Sequence, residues 1–159
     1  MNIKIIAVGK IKETYMKDGI GEYLKRLSAY AKIEIIEVRD EKIPEGISSV
    51  QEKIIKNKEA ERISKYIKDG SFLIPLAIEG SMYNSVELAE FISELALKGK
   101  SDLTFIIGGS LGLSEKLLQK GNRLISFSKL TFPHQLMRLI LLEQLYRVYR
   151  INNGEPYHK

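Results

Sequence analysis

The 159-residue sequence contains no cysteine and no tryptophan, and it has only two histidines and four prolines. Without cysteine the chain cannot form a disulfide, bind a metal through thiolates or use a cysteine nucleophile. Two histidines, His134 and His158, are too few for a histidine-rich metal centre, so we expect no metal cofactor. The longest apolar run near the C-terminus, residues 136–142, is short and contains Arg138, which argues against a membrane span. We therefore expect a soluble cytoplasmic protein that does not bind a membrane.

The composition is typical of one folded domain covering residues 1–159. Hydrophobic residues make up 44% of the chain and charged residues 28%, values that exclude an intrinsically disordered protein. A chain of this length commonly forms a single domain with a substantial core, and no linker-like stretch divides it.

The net charge of +5 is unevenly distributed along the chain. Residues 116–159 contain eight basic and two acidic residues, so this stretch carries +6 and the first 115 residues carry −1. A basic C-terminal third can bind phosphate or nucleic acid. A solvated helix face rich in lysine and arginine is the alternative, and charge alone slightly favours it.

Apolar runs of strand length alternate with helix-like periodicity along the whole chain. We predict strands at residues 3–8, 33–38, 72–78, 103–107 and 124–127. We predict helices at 15–30, after Ser48 or Ser49, after Asn84 or Ser85, at 114–119, and from Pro133 to about Arg150. This alternation predicts an α/β fold with a mostly parallel sheet sandwiched by helices. Pro75 argues against a fully paired central strand at 72–78.

In such folds ligands bind beyond the carboxyl ends of the strands, which selects the loops after residues 78, 107 and 127. Three glycines, Gly108, Gly109 and Gly112, follow one of these strands. They match neither a Walker A loop nor the G-x-G-x-x-G pattern. The cluster is equally consistent with a ligand loop and with a tight structural turn.

Two further segments carry chemistry. Residues 125–134 mix hydroxyls, aromatic rings and a lysine, and their backbone can bind a planar ligand such as adenine; an ordinary connection to the last helix is the favoured reading of this segment by itself. In the tail, Tyr157 can stack on a base and His158 can accept a proton near neutral pH, although chain termini are usually frayed. We expect His134 to be a first-turn helix residue and not a base.

Five motifs in order carry a resemblance to a known family: Val8-Gly9-Lys10, Leu76-Ala77-Ile78-Glu79-Gly80, the strand and glycine cluster at 105–112, residues 126–135, and Pro156-Tyr157-His158-Lys159. Over essentially its full length the chain resembles the RlmH (YbeA-like) family of SPOUT-class RNA methyltransferases. The resemblance implies a C-terminal trefoil knot, a homodimer and S-adenosyl-L-methionine as methyl donor. The implied reaction is N3-methylation of a pseudouridine in the 23S rRNA of the assembled ribosome.

The resemblance also implies roles for individual residues. Three loops would hold the donor, through the residues Leu76, Gly108, Phe127, Ser128, Lys129, Leu130, Thr131 and Phe132. His158 would be the base or a substrate-positioning residue, with Tyr157 stacking on or hydrogen-bonding the target base. Phosphates of the RNA would be held by Arg138, Arg147, Arg150 and Lys159. A non-catalytic ribosome-binding protein is the alternative, while the absence of a Walker A lysine disfavours a P-loop hydrolase.

Overall fold

The structure is a computed structural model that describes residues 1–157. Its strands are β1 (Asn2–Val8), β2 (Lys32–Val38), β3 (Phe72–Met82), β4 (Asp102–Ile107) and β5 (Ile125–Ser126). Its helices are α1 (Thr14–Leu27), α2 (Ser49–Ser64), α3 (Ser85–Leu97), α4 (Glu115–Lys120) and α5 (His134–Asn152). The predicted alternation of strands and helices is confirmed, and only the ends of the elements differ.

The five strands form one sheet in the order β2-β1-β4-β3-β5, and every pairing between neighbours is parallel. The central strands β1 and β4 are almost continuously apolar because helices cover both faces of the sheet. The predicted α/β architecture is therefore confirmed. The trefoil knot implied by the family resemblance stays a prediction.

Two hydrophobic cores lie on opposite faces of the sheet. The larger core joins the sheet to α1, α3 and α5, with Ile5, Phe105 and Leu141 among its buried residues. The smaller core joins the sheet to α2 and α4, through residues such as Ile63 and Leu117. Helices α2 and α4 thus share one face of the molecule, and α5 lies on the other.

Two helix starts that the sequence left open are decided by side-chain caps. Ser48 accepts a hydrogen bond from the backbone N–H of Gln51, whose side chain accepts one from the Ser48 N–H. Asn84 and Glu87 form the same reciprocal capping box at the start of α3. Each box satisfies two backbone donors that a helix leaves unpaired at its first turn.

Pro75 lies in an internal strand, because β3 has neighbours on both sides. The proline is tolerated there because β5 is short and pairs with β3 only at Leu76 and again near Ser81. Two residues before the proline, Leu73 forms two hydrogen bonds with Asn122. The Leu73 N–H donates to the Asn122 side-chain oxygen at 2.7 Å, and the Asn122 backbone N–H donates to the Leu73 carbonyl at 2.9 Å. Strand β3 continues to Met82, four residues past the predicted end, so that it reaches beyond the edge formed by β4.

Helix α5 lies between α1 and α3 and packs on the sheet, which explains why it is apolar on more than one side. No residue from 134 to 151 is classed as exposed in the single chain. Among the described helices none is long and apolar enough to cross a membrane.

Candidate active site

A cavity of about 500 Å³ lies where β4 and β5 end and where β3 runs past them. The three strand-end loops that the sequence selected all contribute to its wall. The lining residues are Lys56, Leu76, Ala77, Ile78, Glu79, Ile107, Gly108, Gly109, Leu111, Gly112, Leu113, Glu115, Leu118, Ile125, Ser126, Phe127, Ser128, Leu130, Thr131, Phe132, His134 and Met137. Its volume falls within the range of small-molecule sites.

The glycine cluster is both a tight turn and part of this wall. Gly112 has a φ of +83°, and its N–H donates a hydrogen bond to the Gly109 carbonyl at 3.0 Å. A Cβ on Gly108 would lie 2.9 Å from the carbonyl carbon of Gly112, so no side chain fits inside the turn. The turn therefore exposes bare backbone to the cavity, and the two interpretations left open by the sequence describe the same loop.

The loop after β5 is held by its own hydroxyl groups. The Ser126 hydroxyl donates to the Ser128 carbonyl at 2.9 Å, and the Ser128 hydroxyl accepts from the Leu130 N–H at 2.9 Å. Seven of the eight residues predicted to bind a donor line the cavity, which are Leu76, Gly108, Phe127, Ser128, Leu130, Thr131 and Phe132. Lys129 is exposed and does not line it. That these residues bind a donor stays a prediction.

His134 begins α5 as predicted, and it is also one of the residues that line the cavity. Burial, together with the nearby Arg138 guanidinium, lowers the pKa of His134, while Asp40 acts in the opposite direction. A histidine with a lowered pKa is neutral at pH 7. The cavity wall therefore carries no imidazolium charge, a feature that the sequence alone did not reveal.

The structure contradicts the prediction that Arg138 binds RNA phosphate. Its side chain is fully buried, and its guanidinium donates to Glu37 Oε1 at 2.9 Å, to the Val8 carbonyl at 2.9 Å and to the Gly9 carbonyl at 2.6 Å. These bonds join the N-terminal part of α5 to the carboxyl ends of β1 and β2. Arg138 is thus a structural cation: both of its terminal nitrogens bond within the protein, and its Nε is buried without a partner among the described residues.

Arg147 and Arg150 lie further along α5 and are partly buried. Arg147 forms an ion pair with Glu143, and its guanidinium lies 4.8 Å from the centroid of the Tyr157 ring. Arg150 forms an ion pair with Glu155 and donates to the Tyr30 hydroxyl at 3.3 Å. Both side chains hold the C-terminal tail, and their contact with RNA stays a prediction.

The described part of the tail packs against the C-terminal half of α5 through Tyr157. Its ring lies 5.0 Å from that of Tyr146 in an edge-on arrangement, and its hydroxyl lies 3.5 Å from the Tyr23 hydroxyl. The hydrogen bond with Tyr23, together with burial, raises the pKa of Tyr157 to about 12. The phenol therefore stays protonated at neutral pH and can donate a hydrogen bond but cannot act as the base. His158 and Lys159 lie outside the described residues.

In a single chain Tyr157 does not line the cavity. Met137 is the cavity residue furthest along α5, whereas Tyr157 contacts Glu143, Tyr146 and Arg147. These contacts begin six residues beyond Met137, which is about 9 Å along the helix axis at 1.5 Å per residue. The structure thus brings the three loops together, but it does not bring Tyr157 to its own cavity.

Sequence reasoning missed several cavity residues. Glu79 and Met137 lie next to predicted segments, and the same strand-end and helix-start rules point to them. Lys56 projects from the middle of α2, some twenty residues before the first predicted loop. No local pattern links Lys56 to the cavity, because only the packing of α2 on the sheet places it there.

Over its whole length the chain is similar to one family of known proteins. A family model described as "Predicted SPOUT methyltransferase" matches residues 1–158. Proteins named "Ribosomal RNA large subunit methyltransferase H" from Bacillus pumilus and from Clostridioides difficile are each 60% identical to this chain, with complete coverage of both sequences. The protein of that name from Bacillus thuringiensis is 58% identical, again over the full length.

Two solved structures have the same fold at low sequence identity. A probable methyltransferase from Bordetella pertussis aligns with a TM-score of 0.55 and 8% identity, covering 92% of this chain and 93% of that one. A probable methylase family protein from Haemophilus influenzae aligns with a TM-score of 0.51 and 15% identity, covering 96% of this chain and 66% of that one. At these identities the similarity concerns the fold alone.

Proposed function

Because the chain belongs to the SPOUT methyltransferase family, and within it to the RlmH group of rRNA large-subunit methyltransferases, it is an rRNA methyltransferase, and we propose that its donor is S-adenosyl-L-methionine. We further propose that the target is N3 of a pseudouridine in 23S rRNA of the assembled ribosome. The observation that carries the proposal is the cavity formed by the three strand-end loops, which contains seven of the eight residues predicted to bind the donor.

The residues around the cavity fit this donor. Apolar side chains such as Leu76 and Phe127 offer walls for an adenine ring, and the segment 126–132 offers backbone and hydroxyl groups for its edge. The bare backbone at Gly108 allows close approach. When bound, S-adenosyl-L-methionine supplies a methyl group on a positively charged sulfonium.

The charges around the cavity also fit a cationic ligand. His134 is neutral at pH 7 because its pKa is lowered, so it does not repel a positive group. Among residues 1–157 the wall contains Glu79 and Glu115 against a single lysine, Lys56, so its charged residues leave a net charge of −1. Positioning of the two reactants is the main contribution that we assign to these residues, since proximity and orientation account for several kcal/mol of a typical barrier.

The nucleophile, a ring N3, must lose its proton before or during methyl transfer. We propose that His158 accepts this proton, because an imidazole is the natural proton acceptor near neutral pH. Tyr157 keeps its proton and hydrogen-bonds or stacks on the target base. Replacement of His158 by alanine is expected to lower kcat while donor affinity stays the same.

We propose that the active form is a homodimer in which the tail of one copy completes the cavity of the other. The separation along α5, about 9 Å from Met137 to the first residue that Tyr157 contacts, supports this arrangement, because a single chain keeps Tyr157 out of its own cavity. Exposed apolar side chains near the cavity, Ile78, Met82, Val86 and Leu130, offer a surface for a second copy.

Two measurements test the proposed function. Calorimetry with S-adenosyl-L-methionine should give a binding isotherm, and ATP, as the control ligand, should give none. Methylation should then be followed on intact ribosomes and on free 23S rRNA, with mass mapping of the modified nucleotide. The absence of heat with the donor, or a methyl group on another atom, would overturn the assignment.

A further inference from the structure

Besides the donor cavity, a groove of about 910 Å³ lies between α2 and α4, on the face of the sheet opposite α5. Five lysines line it: Lys53, Lys56 and Lys65 from α2 and its C-terminal cap, and Lys116 and Lys120 from α4. On α2, Lys53, Lys56, Ala60 and Ser64 follow helical spacing and share one face; on α4, Lys116 and Lys120 are four residues apart. Two helix faces therefore present ammonium groups to the same space.

The positive charge of the groove is not neutralised within the protein. Its lining contains two carboxylates, Glu61 and Glu115, against the five lysines, which leaves a net charge of +3. Within residues 1–157 no ion pair or hydrogen bond is formed by any of these five ammonium groups. By contrast, Lys68 and Lys98 elsewhere on the surface pair with Asp102 and Glu94. Repulsion among the groove lysines falls when an anion binds.

The groove is continuous with the candidate active site. Lys56 and Glu115 line both the groove and the donor cavity, so a chain lying in the groove passes the mouth of the cavity. The groove lining contains no aromatic side chain, and its apolar members are Ala60 and Leu117. Such a surface has no aromatic side chain on which a base could stack, and its lysines are suited to contact the phosphates of a sugar–phosphate backbone.

We propose that the α2–α4 groove binds the phosphate backbone of the rRNA and places the substrate strand across the donor cavity. This inference rests on the proposed function, since the RNA is the substrate of the same site. It assigns the main electrostatic contact to lysines of α2 and α4, on the opposite face from the α5 arginines. Because the contacts are to phosphate, they position the RNA and carry no sequence specificity.

The test uses a variant in which Lys53→Gln, Lys116→Gln and Lys120→Gln are combined, since these three lysines do not line the donor cavity. A control combines Lys32→Gln, Lys98→Gln and Lys100→Gln, which removes the same charge from exposed positions at the amino-terminal edge of the sheet. For both variants we would measure ribosome methylation over a range of KCl concentrations, equilibrium binding to free 23S rRNA, and donor affinity by calorimetry.

We expect the substitutions in the groove to raise KM for ribosomes roughly tenfold. The fall of log affinity with log salt should become shallower by about 2 to 3, which corresponds to the loss of three phosphate contacts. The kcat and the donor affinity should match the wild type, and the control variant should behave like the wild type in every assay.

The proposal is overturned if the groove variant and the control variant behave alike, or if the groove variant binds the donor more weakly than the wild type. It is also overturned if the groove variant binds ribosomes more weakly but free rRNA as well as the wild type does, because the partner is then not RNA. A wild-type protein that binds rRNA through the groove but does not methylate it would contradict the proposed function and not the groove.

Discussion

Arg138 holds three segments together from a fully buried position. Its guanidinium bonds to Glu37 and to two backbone carbonyls, those of Val8 and Gly9. Such a cation is costly to bury and is stable only while its partners are present. The residue therefore contributes to the shape of the site through β1, β2 and α5, and not through contact with substrate.

Replacement of Arg138 by methionine should lower the free energy of unfolding by about 3 kcal/mol, because it leaves two carbonyls without the guanidinium donor and Glu37 without its cation. Urea unfolding followed by circular dichroism measures this loss. Lys98→Met is the control, since the Lys98–Glu94 pair is exposed and its removal should leave the midpoint nearly unchanged. An Arg138→Met protein as stable as the wild type would contradict the structural role of Arg138.

Glu59 is a buried carboxylate beneath the glycine turn. Its oxygens lie 3.3 and 3.4 Å from the position of a Cβ on Gly109, and one accepts a hydrogen bond from the Glu41 N–H at 3.1 Å. Burial raises the pKa of Glu59, Asp40 adds to the shift, and the Glu41 hydrogen bond and Arg62 oppose it. The folded protein therefore binds this proton more tightly than the unfolded chain does.

This shift predicts a pH dependence. The contribution of Glu59 to stability is greatest below the ordinary carboxyl pKa of 4.5, and it is lost as the pH rises through the raised pKa of the folded state. Glu59→Gln cannot ionise and keeps the acceptor for Glu41. We expect the variant to be more stable than the wild type at pH 7 and equal to it near pH 4, in urea titrations at each pH. A Glu59→Gln variant whose stability relative to the wild type is the same at pH 4 and pH 7 would contradict this prediction.

At the scale of elements, β3 and β5 meet at an unusually close approach. A Cβ on Gly80 would lie 2.6 Å from the backbone carbon of Ile125 and 2.7 Å from its nitrogen, so the two strands touch where Gly80 lacks a side chain. The pairing of β5 with Leu76 and then with Ser81 depends on this contact. The position of the loop 127–132 follows from it, because that loop begins where β5 ends.

Gly80→Ala should destabilise the protein by about 2 kcal/mol or more, because the new methyl group meets backbone atoms that cannot move independently. Gly21→Ala is the matched control: Gly21 lies in α1 with no atom within 4 Å of its Cβ position, and alanine there should stabilise the helix by up to about 1 kcal/mol. Thermal unfolding of both variants decides the matter, and equal midpoints would show that the close approach does not restrict this strand.

At the scale of the whole molecule, the proposed dimer predicts that two inactive variants restore each other. A chain lacking residues 157–159 keeps its cavity, and Gly108→Val keeps its tail but fills the glycine turn. Mixed dimers contain one intact cavity beside one intact tail of the other copy. Statistical mixing should recover about a quarter of wild-type activity.

Calorimetry and circular dichroism on the separate proteins provide the controls, since the truncated chain should bind donor and Gly108→Val should be folded without binding it. Thr131→Trp is a second cavity variant if Gly108→Val does not fold. No recovery from either mixture would mean that each tail serves its own cavity.

Folding decides which positive charges of the molecule are available to a partner. By sequence, the C-terminal third carries +6 and the first 115 residues carry −1. In the structure Arg138 is internal, and Arg147 and Arg150 hold the tail, so three of those positive charges are engaged within the protein. The α2–α4 groove takes three of its five lysines from the part of the chain that looked neutral.

The sequence by itself determined the order and type of the elements, the parallel sheet, the helix starts to within about one residue and the three ligand loops. These features depend on periodicity, on capping chemistry and on the rule that strand ends meet at one edge, all of which operate over a few residues. The individual donor-loop residues came from the family resemblance; seven of the eight line the cavity, and their binding of a donor stays a prediction.

Only the tertiary structure decided which charges face solvent and which groups share a site. Contacts between residues far apart in the chain decide four features of the site. They bury Arg138, keep His134 neutral, place Lys56 in the cavity wall and hold Tyr157 outside that wall. A lysine or arginine has the same local pattern whether it pairs internally or binds an anion, since the difference is made by the elements that pack around it.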